Sequence, residues 1–268
     1  MEDATAKPGW NRGRPKRSLG QNFLVDGNIA RKIVACLKLT AGDRVLEIGP
    51  GRGILTEQLL LDGAESFVLE KDLGLAMGLK STWPELKLVA GDALRFDWPR
   101  LSRLGPIAIV GNLPYNIASP LIWDLAKSQA GSTRMVFTVQ KEVAERLAAD
   151  PGSKRYGGLS VWVQSYARVR LEFTVGPQVF RPRPKVQSAV VSLRRKDQAS
   201  CPEQPEALRQ LIRHCFQNRR KQLGTILKGS WSPAIHDWLT SQGLGPSSRP
   251  EELSADQFNS LSLLMKKW

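Results

Sequence analysis

The chain predicts an α/β protein: a mostly parallel sheet with helices on both faces, followed by a small all-helical domain. Three observations predict it. Short β-type apolar runs alternate with segments of i, i+3, i+4 apolar spacing, the pattern of strands joined by crossover helices. A glycine turn, Gly49-Pro50-Gly51-Arg52-Gly53, lies directly between the first such strand and a helical segment, as in Rossmann-like sheets. Beyond Asp197 the β-type runs stop and everything that follows reads as helical.

Taken in order, residues 1–17 are rich in Lys, Arg, Gly and Pro and read as a flexible basic arm. Strands are expected at Arg44–Ile48, Ser66–Leu69, Leu86–Ala90, Ile107–Val110, Arg134–Val139, Arg168–Val175 and Ser188–Leu193. Helical spacing falls between them at Ile54–Leu61, Asp72–Lys80, Pro120–Lys127 and Lys141–Ala149. No long helix is evident between the last two strands, which predicts an antiparallel edge. Gln198-Ala199-Ser200-Cys201-Pro202 reads as a linker. Ser254 with Gln257 forms a capping-box signature that opens a final helix toward Met265. Residues 18–196 therefore read as one domain and residues 197–268 as a second, helical one.

A chain of 268 residues can bury one large core plus a small appendage. No apolar run approaches the roughly 18 residues of a membrane span. The N-terminus lacks a secretory core, and Glu2 and Asp3 argue against a transit peptide. Cys36, Cys201 and Cys215 are odd in number with no paired spacing and read as reduced thiols, so a cytoplasmic location is expected. With two histidines in the chain no credible metal-ligand set assembles, and no metal is expected. Net charge is +14. Between Lys154 and Lys196 ten basic residues face one acid, Glu172. Uncompensated charge of that density points to nucleic acid as the partner.

Four residues after the fourth strand carry specific chemistry: Asn112-Leu113-Pro114-Tyr115. The lone pair of an exocyclic base amine is delocalised into its ring. An Asn side-chain carbonyl and the Leu113 backbone carbonyl can each accept one N–H of such an amine and aim its lone pair at an incoming methyl group. Pro114 holds Leu113 extended, and Tyr115 offers a ring face to an extruded base. The glycine turn after the first strand lets the backbone approach a ligand. Its G-x-G-x-G spacing, with Ile54 where a dinucleotide fingerprint has its third glycine, disfavours a nicotinamide cofactor. Glu70, ending the second strand, is placed to take both hydroxyls of a ribose, and Asp92, after the third, to meet an adenine amino group. Together these suit S-adenosylmethionine, a methyl donor bearing adenosine and no phosphate.

With these residues in place the chain resembles the ribosomal RNA adenine N6-dimethyltransferases, the small-subunit branch above all. The resemblance starts at Ser18-Leu19-Gly20-Gln21-Asn22-Phe23-Leu24 and runs through the glycine turn, Glu70, Asp92 and Asn112–Tyr115. It takes in Gln140-Lys141-Glu142-Val143-Ala144-Glu145-Arg146 and Phe180-Arg181-Pro182-Arg183-Pro184-Lys185-Val186, and ends in Phe216-Gln217-Asn218-Arg219-Arg220-Lys221-Gln222-Leu223. It implies a Rossmann-like methyltransferase domain that acts, as a monomer, on two adjacent adenosines near the 3′ end of 16S rRNA in the small ribosomal subunit. By the same resemblance Asn22 and Leu24 close over the donor, Gly49 and Gly51 line its methionine end, Glu70 holds the ribose and Asp92 the adenine. Asn112 lies between donor and target, and Phe180 stacks on the target base opposite Tyr115. Arg219, Arg220 and Lys221, in the helical domain, meet rRNA phosphates. Gln187 stands where the family commonly has Asp, and the first fifteen residues carry no family signal.

Three alternatives compete. Large-subunit dimethyltransferases of the antibiotic-resistance type tend to have Ile where this chain has Leu113. A non-catalytic RNA-binding relative would be marked by loss of the glycine turn, Glu70 or Asn112, all present here. A DNA adenine methyltransferase needs a larger sequence-reading element than residues 197–268 supply.

Overall fold

The computed structural model describes residues 15–16, 19–128 and 132–265. The expected arm thus lies outside the described residues except for Pro15 and Lys16. The first strand pair is short: β1 (Phe23–Leu24) runs antiparallel to β8 (Phe180–Arg181). Helix α1 (Gly27–Ala35) follows, capped by the Asp26 carboxylate, which accepts from the N–H groups of Asn28 and Ile29.

The main sheet is built from β2 (Arg44–Ile48), β3 (Glu65–Glu70), β4 (Lys87–Ala90), β5 (Ile107–Asn112), β6 (Ser132–Gln140), β7 (Ala167–Val175) and β9 (Ser188–Arg195). Its order is β4-β3-β2-β5-β6-β9-β7. Strands β4, β3, β2, β5 and β6 are parallel, and β9 returns antiparallel along β6. The antiparallel pair shown is thus β6 with β9, and β7, expected to form an antiparallel edge with β9, stands at the edge beside it.

Helices α2 (Ile54–Leu61), α3 (Leu73–Thr82) and α4 (Tyr115–Lys127) fill the crossovers. Side chains alternate across the sheet. Val45, Ala108, Val110, Val136 and Val190 form one core with Ile33 and Val34 of α1 and Leu55 and Leu59 of α2. The oppositely directed Leu46, Ile48, Ile109 and Phe137 are just as buried, so both faces of the sheet's centre are covered, as a parallel sheet requires.

Two compact units emerge. The first comprises the chain up to Ala144 with Arg170–Arg194; the second joins Glu145–Val169 to Arg195 and beyond. A single cut at residue 197 was expected, and the difference has a clear origin. Helix α6 (Gly158–Tyr166) buries Leu159, Val161, Trp162, Val163 and Tyr166, with Ser160 and Ser165. It has no polar face to give to water, and it packs on α7 (Pro205–Gln217) and α10 (Ala255–Leu264). In that unit α5 (Lys141–Leu147) ends, and α8 (Leu223–Ile226) and α9 (Pro233–Ser241) complete the helices. The capping box of Ser254 and Gln257 opens α10 as its spacing predicts.

Candidate active site

Parallel strands bring their carboxyl ends to one edge, and ligands of open α/β sheets bind there. At that edge an open cavity of about 1070 Å³, counting space continuous with solvent, is lined by Gly49, Gly51, Glu70, Asp92, Asn112, Leu113 and Tyr115. Asn22 and Leu24 line it too, from the N-terminal segment.

Gly49, Gly51 and Gly53 have φ of +65°, +58° and +77°, a region that favours glycine. A Cβ on Gly49 would meet nothing within 4 Å, whereas one on Gly51 would stand 2.9 Å from the ring of Phe23. Gly49 thus leaves its backbone open to the cavity, and Gly51 admits an aromatic lid. Arg52 lies over the same ring, 4.7 Å from its centroid.

Glu70 is 5% exposed. One of its oxygens accepts the Gly51 N–H at 3.1 Å and the other the Asp72 N–H at 2.8 Å. Burial raises its pKa against those bonds. A carboxylate oxygen can accept more than one hydrogen bond, so both retain capacity for a pair of vicinal hydroxyls. Asp92 caps the 3₁₀ turn Ala93–Arg95 through the Leu94 N–H at 3.0 Å. Its other oxygen pairs with Lys71 Nζ at 2.8 Å, and that bond chiefly holds its carboxyl below the usual range. The cavity wall at Asp92 therefore presents a charge-compensated acceptor, suited to a neutral amine.

Asn112 ends β5, and its Nδ2 donates to the Asn22 carbonyl at 2.8 Å. A carbonyl only accepts, so this bond fixes which way the amide points and turns Oδ1 away from Asn22, available to accept. Leu113 is 2% exposed and donates its N–H to the Thr138 carbonyl at 3.1 Å. Pro114, with φ −56° and ψ 133°, is the extended cap of α4. The Tyr115 hydroxyl lies 2.6 Å from that of Ser188, which is fully buried. Burial raises the pKa of the phenol, so it stays neutral and its ring is anchored from below.

Phe180 is not where the resemblance put it. It is 1% exposed and belongs to the core of α1 and α2 rather than to the cavity wall. The reason is register. Phe180 sits opposite Leu24 in the β1–β8 pair, cross-strand partners share a face, and both side chains enter that core. Arg219 also departs from expectation, being bound within the second unit to Glu251 at 3.0 Å. Gln187 takes a neutral role, its side-chain oxygen 3.3 Å from Lys141 Nζ and its carbonyl accepting the Lys141 N–H at 3.0 Å.

Sequence reasoning passed over several residues that shape the site. Asp72, only 6% exposed, accepts from Lys16 at 2.9 Å and Gln21 at 3.4 Å. Burial raises its pKa, but those bonds outweigh it and hold the carboxyl low. They tie Lys16 and Gln21, ahead of Asn22, to the cap of α3. Glu47, also on the cavity wall, accepts the Thr56 hydroxyl at 2.6 Å; burial pushes its pKa up to about 8. An acid in the middle of the apolar strand Val45–Ile48 was the available signal. Among the described residues no group of three or more His, Cys, Asp or Glu is placed to hold a metal, and no helix is long and apolar enough to cross a membrane.

This geometry has close counterparts. The chain is 50% identical over 251 residues to the ribosomal RNA small subunit methyltransferase A of Maridesulfovibrio salexigens, covering 93% of this chain and 95% of that protein. To the enzyme of the same name from Oleidesulfovibrio alaskensis it is 49% identical, covering 94% and 92%. A dimethyladenosine transferase from Plasmodium falciparum superposes with a TM-score of 0.74 at 27% identity, over 89% of this chain and 95% of that one. The 23S rRNA methyltransferase ErmE does so with a TM-score of 0.70 at 26% identity, over 91% and 99%. The family model described as ribosomal RNA adenine dimethylase matches residues 12–267. A Rossmann-like sheet, a cavity at the carboxyl ends of its parallel strands with an oriented asparagine amide on its wall, and a match along nearly the whole chain place it in the ribosomal RNA adenine dimethylase family.

Proposed function

We propose that the protein methylates N6 of two adjacent adenosines near the 3′ end of 16S rRNA in the small ribosomal subunit, giving N6,N6-dimethyladenosine. S-adenosylmethionine supplies an electrophilic methyl group on a sulfonium. Glu70 holds the ribose hydroxyls of the donor, Asp92 its adenine, Gly49 and Gly51 the methionine end, and Asn22 and Leu24 close over it. Asn112 Oδ1 and the Leu113 carbonyl accept the two N–H bonds of the target amine and turn its lone pair toward the methyl. After transfer the nitrogen sheds one proton to solvent. Tyr115 stacks on the extruded base, its hydroxyl anchored by Ser188.

The observation that carries this reading is the Asn112–Asn22 bond of 2.8 Å. It aims a neutral acceptor at the mouth of the donor cavity before any substrate arrives, and preorganised groups of this kind dominate such catalysis. The small subunit is favoured by the names of the relatives with 50% and 49% identity. One chain carries the whole site, in keeping with a monomer working in the cytoplasm, where ribosomes are assembled. Exposed Arg220 and Lys221 are proposed to meet rRNA phosphates.

The test offers 30S subunits, 50S subunits and duplex DNA side by side with radiolabelled donor. Label confined to 30S subunits and recovered as dimethyladenosine is expected. Transfer to 50S subunits or DNA instead overturns the assignment.

A further inference from the structure

Arg219, Arg220 and Lys221 are adjacent and equally basic in sequence, but the structure treats the first differently. The Arg219 Nε donates to the Glu251 carboxylate at 3.0 Å. Its Nη2 donates to the carbonyls of Ser153 and Lys154 at 3.3 and 3.2 Å. Glu251 closes the ring, since its own carbonyl accepts the Gly152 N–H at 2.6 Å. Three segments far apart in sequence are thus fastened at one guanidinium: the loop around 152–154, the turn at 218–221 and the 3₁₀ turn Pro250–Glu252.

A guanidinium grips phosphate or carboxylate through a fork of two parallel N–H bonds. One fork pairs Nε with Nη2, the other Nη1 with Nη2. Nε is bound to Glu251 and Nη2 to two carbonyls, so the Nε–Nη2 fork is occupied and the Nη1–Nη2 fork shares its Nη2 with the loop. Lys154, Arg220 and Lys221 are exposed, and among the described residues none of the three is in an ion pair. Arg219 binds the carbonyl of Lys154 and precedes Arg220 directly, so it ties the backbone bearing Lys154 to the backbone bearing Arg220 and Lys221.

We infer that Arg219 is a positioning residue, an internal strut that assembles Lys154, Arg220 and Lys221 into a single face for an RNA phosphate backbone, and makes no phosphate contact itself. This rests on the proposed rRNA reading only for the identity of the partner. The strut is a property of the protein alone.

The discriminating variant is Glu251→Gln. If Arg219 is a strut, weakening its ion pair raises amide hydrogen exchange across residues 150–156 in the free protein, and 30S binding weakens with a shallower salt dependence. If Arg219 grips phosphate, removing its competing carboxylate tightens 30S binding and steepens that dependence, which overturns the inference. Arg219→Ala should raise exchange in the same loop and lower the slope of log K against log[salt] by more than the roughly 0.9 of one duplex phosphate contact. Arg220→Ala and Lys221→Ala should each lower it by about 0.9 and leave loop exchange unchanged. Unaltered exchange in Glu251→Gln removes the strut. An unaltered slope in both Arg220→Ala and Lys221→Ala instead removes the RNA face while leaving the strut standing.

Discussion

Replacing Asn112 separates the two tasks its amide performs. In Asn112→Ala the acceptor for the target amine is gone, and loss of one preorganised group of this kind costs about 10²–10³ in rate. Asn112→Asp keeps an acceptor but cannot donate to the Asn22 carbonyl. It sets two oxygens against each other where a 2.8 Å bond existed. An acceptor stranded in a part-buried site costs roughly 1–3 kcal/mol, or about 5–150-fold. Because Asn22 lines the cavity and is proposed to close over the donor, that loss should fall on donor affinity as well as on rate. Single-turnover transfer to 30S subunits measures the first quantity and calorimetry with the donor the second. The second methylation has one N–H left to hold, so Asn112→Ala should also accumulate monomethyladenosine. Near-normal turnover in Asn112→Ala refutes the oriented-amine argument. Unchanged donor affinity in Asn112→Asp refutes the part assigned to Asn22.

Other outcomes follow from the same geometry. Glu70→Ala should weaken donor binding by about 1.5–3 kcal/mol, the scale of a hydrogen bond to a charged group, with 30S binding intact; calorimetry showing no change would take Glu70 out of the site. Glu47 holds its proton in the folded chain up to about pH 8, against an ordinary carboxyl value of 4.5. Between those values the unfolded chain is ionised and the folded one is not, so stability falls as pH rises, by about 1.4 kcal/mol per unit. Urea melts of Glu47→Gln should show a flatter profile over that range, and coincident profiles would mean the buried carboxyl is ionised throughout. Phe180→Ala should cost about 3–5 kcal/mol, as for other large core side chains, lowering Tm by about 2–4 °C per kcal/mol while the folded fraction binds donor normally. A variant that melts normally and fails only in turnover would put this ring on the substrate.

Much of this was legible beforehand, for physical reasons. Strand β2 and helix α2 fall on the residues their patterns mark, because a buried parallel strand and its crossover helix have distinct periods. The ends of β2 to β5 deliver Gly49, Glu70, Asp92 and Asn112 to one cavity, since parallel topology leaves them nowhere else to go. Helix α6 was not legible. With Val161, Trp162, Val163 and Tyr166 all buried, it has no polar stripe to set a 3.6-residue period, so the segment between the expected helix ending at Ala149 and the expected strand opening at Arg168 carries no assignment. Phe180 and Arg219 were misplaced for a different reason. Whether a ring faces a core or a cavity depends on pairing with Leu24, and whether a cation faces solvent depends on Glu251. Both partners are remote in sequence.

The pairing of β1 with β8 has a consequence for synthesis. Among the described residues, those that line the cavity all lie between Leu19 and Ile117, so an emerging chain holds these lining residues early. Yet Phe23, the aromatic lid on Gly51, and Leu24 are paired with Arg181 and Phe180. Domains form as their segments emerge from the ribosome, and this one must wait for a strand from the far end of its catalytic unit. A nascent chain halted before Phe180 carries the described lining residues of the cavity and lacks the strand that pairs with two of them.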